Sequence, residues 1–231
     1  MTGFSVPARF SGPADAANGG WISGMAASFL PQGGTIEVTL RRPTPLGTPL
    51  DVEVTGERAR LLAGGETLVE AVVTGDDPVP PPFVSAEEAE KAEQAYPGLT
   101  DHPLPDCYVC GLREPGEGLR VWPGPTGRAD IVASRWHAHP LLSEWADRVP
   151  AAHVWAALDC VTGWAHAEPG WLALLGRLTV RLHHAVVPGK DYVVVGRREG
   201  RERRKLHSSG AIYTTDGLLV GASRATWISM R

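Results

Sequence analysis

Residues 36–40 read IEVTL and run into RRPTPLGTPLDVEV at 41–54; residues 178–182 read LTVRL and run into HHAVVPGKDYVVV at 183–195. Laid over each other, Val38 meets Val180, Leu40 meets Leu182, Gly47 meets Gly189 and Val52 meets Val194, every pair 142 positions apart. Alternation of apolar and polar residues gives both stretches the period of a half-buried strand, and the proline and glycine between the runs mark a turn. One offset held through strand, turn and strand reads as a duplicated unit.

Working outward, each half has the same coarse order. An apolar helical segment comes first, at 19–30 and again at 151–167. Strands follow at 35–42, 50–62 and 67–74 in the first half, and at 176–184, 191–198, 203–213 and 218–228 in the second. Ala63-Gly64-Gly65 and Asp216-Gly217 are hairpin signals. Further strands are expected before each helix, at 4–10 and 131–136. Strands joined by short loops pair antiparallel, with the helix on one face. Pro78, Pro80, Pro81 and Pro82 lie between the halves and read as a stiff linker. Residues 85–94, SAEEAEKAEQ, read as a short solvated helix capped by Ser85, with Glu88 completing a capping box. The expected division is 1–77 for the first half, 78–103 for the linker with its helix, and 104–231 for the second half.

The chain has 231 residues, 43% apolar and 21% charged, enough for a sizeable core without cross-links. A net charge of −4 argues against general nucleic-acid binding. No apolar run approaches a membrane span, and the opening residues lack the apolar stretch of a signal peptide. Three cysteines suit a reducing compartment, so a cytoplasmic location is expected.

Two segments could carry chemistry. Asn18-Gly19-Gly20-Trp21 opens the first helix, where free backbone amides favour developing negative charge; the same residues also read as a plain Asn18 cap with glycines for close packing. Asp159, in VWAALDCVTG at 154–163, is a lone carboxylate on an otherwise apolar helix. Such a group is costly unless paired, hydrated or used, and it reads either as a base for water or as a carboxylate held by backbone amides. Setting Trp21 against Trp155 puts Met25 in the place of Asp159, so one half carries the acid and one site per chain is expected.

The segments ANGGWISGMAA (17–27) and AALDCVTGWA (156–165) resemble, respectively, the glycine-bearing helix start and the acidic central helix of fused double-hotdog acyl-CoA thioesterases, including relatives of the bacterial medium-chain enzyme. The stretch CYVCG…GEGLRVWPGP (107–125) is similar to other members of that superfamily. The resemblance implies an α+β tandem hotdog: two antiparallel sheets, each wrapping a central helix, joined into one continuous sheet. It implies hydrolysis of an acyl-CoA or acyl-carrier thioester, with Asp159 orienting water and the amide of Gly20 or Trp21 binding the carbonyl oxygen. A polar pair holding the water would fall near Thr179 and Thr226, although the family's glutamine is absent here. No cofactor is implied. The expected partner is an acyl-CoA substrate, with no nucleic acid and no membrane, and a homodimer is left open.

Three further features leave alternatives. Cys107-x-x-Cys110 could be half a zinc site with His102, His137 or His139, but no second pair completes it, so thiols in a tight turn are preferred and no metal is expected. Cys160 adjoins Asp159 without a base spaced to activate it. Residues 197–205, RREGRERRK, carry six cations in nine positions. They are either an exposed basic hairpin or, through Arg201, Arg203, Arg204 and Lys205, a dock for the phosphates of coenzyme A. Trp136, Trp155, Trp164 and Trp171 are expected in the core, one or two of them lining an acyl pocket. Besides hydrolysis, the sequence permits a hydratase using Asp159 with His153 or His166, and a non-catalytic acyl-binding protein.

Overall fold

The computed structural model describes residues 3–143, 147–168 and 170–230. Eleven strands form one antiparallel sheet: β1 (Phe4–Ser5), β2 (Thr35–Leu40), β3 (Pro49–Thr55), β4 (Arg58–Ala63), β5 (Glu66–Thr74), β6 (Gly124–Pro125), β7 (Ile131–His137), β8 (Ala173–Leu182), β9 (Asp191–Glu202), β10 (Lys205–Thr214) and β11 (Leu219–Ser229). Among the described residues three α-helices accompany them: α1 (Gly19–Ala27), α2 (Ala86–Gln94) and α3 (Ala151–Trp164).

The spatial order is β1-β3-β4-β5-β2-β8-β11-β10-β9-β7-β6. Each half therefore repeats one pattern, β3-β4-β5-β2 and β9-β10-β11-β8, and the halves meet edge to edge along β2 and β8. At that seam Glu37 pairs with Thr179, with Val38 opposite Leu178 and Ile36 opposite Val180. Glu37 and Thr179 are 142 positions apart, the offset of the sequence repeat, so the approximate two-fold that relates the halves passes between them.

Two differences from the sequence reading concern turns. The single strand expected at 50–62 is a hairpin of β3 and β4, because Gly56 takes a φ of 57° and reverses the chain. The strand expected at 4–10 is cut to β1, since Pro7 precedes a short 3-10 turn at Ala8–Phe10.

One face of the sheet holds α1, against β2, β4, β5 and β8, and α3, against β7 through β11. Both helices are apolar almost all round because both are buried almost all round. They also touch each other. A Cβ on Gly20 would stand 2.8 Å from Ala156 Cα, and one on Gly24 2.6 Å from Ala152 Cα. Two glycines one helical turn apart thus let the backbones of α1 and α3 meet. Helix α2 lies on the opposite face, against β6, β7 and β9. Ser85 Oγ accepts the Glu88 N–H at 3.1 Å, as its cap position implies. The helix is not solvated all round, however: Ala89 and Ala92 are buried against Ala133, Val193, Val195 and Ala211. This cover explains why Tyr-Val-Val-Val at 192–195 is apolar without alternation, for both of its faces are packed.

Candidate active site at the meeting of α1 and α3

A cavity of about 270 Å³ lies beside the N-terminus of α1, walled by α3, the start of β8, the end of β11 and the Cys107–Cys110 loop. Its lining is mostly apolar and includes Ile22, Leu40, Trp164, Trp171 and Trp227. The duplication predicts a counterpart beside α3, and one exists in reduced form. A space of about 30 Å³ is bounded by Gly24, Ala151, Trp155 and Leu182. Leu182 is the repeat partner of Leu40, and Trp155, packed on Gly24, forms part of the wall of this space. One half keeps the cavity.

Asp159 lines that cavity and is 1% exposed. Its Oδ2 accepts the backbone N–H of Gly20 at 2.7 Å, while Oδ1 is buried without a hydrogen-bond partner. Burial pushes the carboxyl up to about 8, with the neighbouring Cys107 adding to the rise and the Gly20 N–H and the Asn18 amide opposing it. Two other cavity residues carry buried polar atoms without partners, Thr44 Oγ1 and Trp171 Nε1. α1 carries no carboxylate, so the acid is single.

The helix-start amides differ from the sequence expectation. Gly20 N–H is engaged by Asp159, and Trp21 N–H by Asn18 Oδ1 at 2.9 Å, the cap bond. Neither faces a ligand freely. Trp21 is instead a core residue, stacked on Phe10 with ring centroids 4.1 Å apart. Gly19, at the first helical position and without an intrahelical acceptor for its N–H, lines the cavity where Gly20 and Trp21 do not.

The expected water-holding pair is also placed elsewhere. Along β8 Leu178 and Val180 enter the core under the helices, so Thr179 between them points to the other face, where its hydroxyl donates to Glu37 Oε2 at 3.3 Å. Along β11 Ser223 and Trp227 reach α3, and Thr226 points away, 3.5 Å from His207 Nδ1. A strand's two-residue period sets both threonines on the face opposite Asp159. His153 and His166 stand apart from the acid as well: Tyr108 Oη is 2.8 Å from His153 Nδ1, and His166 Nε2 is 3.0 Å from the His207 carbonyl oxygen.

The basic residues gather at one end of the sheet. β2 ends at Leu40, β8 begins at Ala173, β11 ends at Ser229 and the β9–β10 turn spans Arg203 and Arg204, so antiparallel pairing brings these termini side by side. Leu172, Ile228 and Met230 at that end line the cavity. Arg204 Nε donates to the Ser229 carbonyl at 2.9 Å, and Arg201 Nε to the Arg203 carbonyl at 2.8 Å. Arg201, Arg203, Arg204 and Lys205 lie at the same end of the sheet but do not line the cavity. Arg41 and Arg42, which sequence reasoning passed over, do line it, paired with Glu70 and Glu66. A double arginine ending a strand beside a turn was the available signal.

Three sulfurs complete the wall. Cys107, Cys110 and Cys160 are buried, and their Sγ atoms lie within 4.8 Å of one another. Cys107 Sγ and Cys160 Sγ are 3.8 Å apart, and Asn18 Nδ2 stands 3.9 Å from the first and 3.8 Å from the second. The Cys107 thiol is drawn down by hydrogen bonds from the Cys110 and Cys160 thiols and from the N–H groups of Cys110 and Val109. The sequence showed Cys107 and Cys110 as a pair; Cys160 joins them only through the fold.

No protein-family model and no curated protein matches the chain. Solved structures do. A hot dog fold protein of unknown function from Alicyclobacillus acidocaldarius superposes with a TM-score of 0.64 at 11% identity, covering 99% of this chain and 92% of that one. A tesB protein from Mycobacterium avium subsp. paratuberculosis gives 0.63 at 16% identity, with 96% and 90% covered. Acyl-CoA thioesterase II TesB2 from Mycobacterium marinum gives 0.58 at 13% identity, with 98% and 91% covered. The likeness runs through nearly the whole length of each protein, and the fold of this chain is therefore that of the hotdog proteins.

Proposed function

We propose that the chain is a double hotdog, two units with α1 and α3 as their central helices, and that it hydrolyses an acyl-CoA thioester. The observation that carries this reading is Asp159 Oδ1, a buried carboxylate oxygen without a partner in the wall of an apolar cavity. The tesB protein and the acyl-CoA thioesterase II that share the fold support the reaction class by fold analogy.

In this mechanism the acyl chain lies among Ile22, Trp164, Trp171 and Trp227. The Gly20 N–H fixes Oδ2 of Asp159 in its ionised form, whose share grows as pH rises toward about 8, and Oδ1 accepts a proton from water as the water oxygen attacks the thioester carbon. Charge builds on the carbonyl oxygen beside the start of α1, where the Gly19 N–H and the positive end of the helix meet it. Collapse breaks the carbon–sulfur bond. The thiolate takes the proton from Asp159, giving a carboxylic acid and free coenzyme A and restoring the carboxylate. The arginines gathered at one end of the sheet hold the phosphates of coenzyme A, those of the β9–β10 hairpin on one side and Arg41 and Arg42 on the other.

The test is release of free thiol from a panel of acyl-CoAs, run beside enoyl-CoA absorbance. Thiol release supports hydrolysis. Loss of enoyl absorbance without thiol release would assign a hydratase instead, and neither signal would leave an acyl-binding protein.

A further inference from the structure

The cysteine cluster has a geometry that the proposed hydrolysis does not use. Around a zinc ion with Zn–S bonds of about 2.3 Å, tetrahedral thiolates stand about 3.8 Å apart. Cys107 Sγ and Cys160 Sγ are 3.8 Å apart, and Cys110 Sγ lies within 4.8 Å of both. Two ligands come from one tight loop. Gly111 closes it, donating its N–H to the Cys107 carbonyl at 2.9 Å, and no larger residue fits there, since a Cβ would stand 2.4 Å from the Pro105 carbonyl oxygen. The third ligand comes from α3, one residue beyond Asp159.

The surroundings suit thiolates. The Asn18 amide approaches two of the sulfurs, at 3.9 Å from Cys107 Sγ and 3.8 Å from Cys160 Sγ. This donor partly offsets the single negative charge that three thiolates leave on a divalent ion. His102 is not a fourth ligand. Its Nδ1 accepts the Leu104 N–H at 2.9 Å and its Nε2 lies 3.1 Å from the Cys110 carbonyl oxygen, so both ring nitrogens are engaged. Among the described residues no other His, Cys, Asp or Glu joins the group.

We propose that Cys107, Cys110 and Cys160 bind one Zn²⁺ through their sulfurs, with the fourth position open to the cavity that Asp159 also lines. The ion ties the loop to α3 and gives the cavity wall a position that a water molecule or a ligand atom can fill. Binding exchanges each thiol proton for the metal and involves no redox change.

Binding is read without turnover, so failure of the hydrolysis reading leaves this test intact. The full chain is purified under reductant, its zinc content is measured, and Co²⁺ is then titrated into the metal-free protein. The expected result is one zinc per chain and one equivalent of Co²⁺, with sulfur-to-cobalt charge-transfer absorption and the intense visible bands of a tetrahedral site. Cys160→Ser should weaken Co²⁺ binding at least tenfold and diminish the charge-transfer band. Wild-type protein that develops no thiolate band with equimolar Co²⁺ overturns the proposal, and this arm needs no variant to fold. A Cys160→Ser protein with the wild-type spectrum and affinity overturns it too.

Discussion

The Asp159 carboxylate and the Gly20 backbone amide meet at 2.7 Å across the contact of α1 and α3. That distance exists because Gly20 has no side chain: a Cβ there would stand 2.4 Å from Asp159 Cβ. Close helix packing and the placing of the acid are one feature of the fold.

Gly20→Ala should therefore damage stability and activity together. Overpacking of this kind costs about 1–3 kcal/mol, and each kcal/mol lowers Tm by roughly 2–4 °C in a protein of this size. Gly24→Ala is the comparison, because its Cβ would meet Ala152 and Trp155 rather than the acid. Both variants should melt earlier, with the larger loss of turnover in Gly20→Ala. An unchanged Tm in Gly20→Ala would refute the packing argument.

Charge reversal at Arg201, Arg203, Arg204 and Lys205 should raise KM for acyl-CoA several-fold and flatten its dependence on salt, with kcat little changed. The same measurement on Arg41→Ala with Arg42→Ala probes the two arginines that line the cavity. If hairpin reversal leaves KM untouched, the hairpin is a solvated basic face and the phosphates bind elsewhere.

Glu93 on α2 supplies a pH dependence. Burial pushes its carboxyl up to about 7, against the opposing pull of Arg135. An acid raised in the folded state favours folding in its protonated form. Its contribution is complete below the ordinary carboxylate value and is lost as pH rises through about 7. Glu93→Gln should consequently gain on wild type as pH rises, with similar Tm near pH 4 and a higher Tm at pH 8. A constant difference in Tm across that range would contradict this account.

The strands were legible because alternation and the repeat are local signals, and the single acid of 154–163 was legible because charge on an apolar helix is conspicuous. The hairpin inside 50–62 was missed because Gly56 lacks the Asn or Asp companion that usually marks a turn. The buried face of α2 could have been read from Ala86, Ala89 and Ala92, spaced by three. Thr179 and Thr226 were carried over from family resemblance, although the parity of Val180 and Trp227 on their strands already set them on the other face. No spacing rule could join Cys160 to Cys107: the two meet only when α3 and the loop pack. Nor could sequence show that the Gly20 amide is engaged by Asp159, since that bond crosses between the halves.

The most direct measurement is turnover of a medium-chain acyl-CoA by Asp159→Asn, followed by release of free thiol beside the melting temperature. Asparagine keeps the size of the side chain and can still accept the Gly20 N–H, but it cannot take a proton from water. Turnover should fall about 100- to 10,000-fold while Tm stays within a few degrees of wild type. A folded Asp159→Asn protein that turns over at the wild-type rate would remove Asp159 from the chemistry and contradict the account.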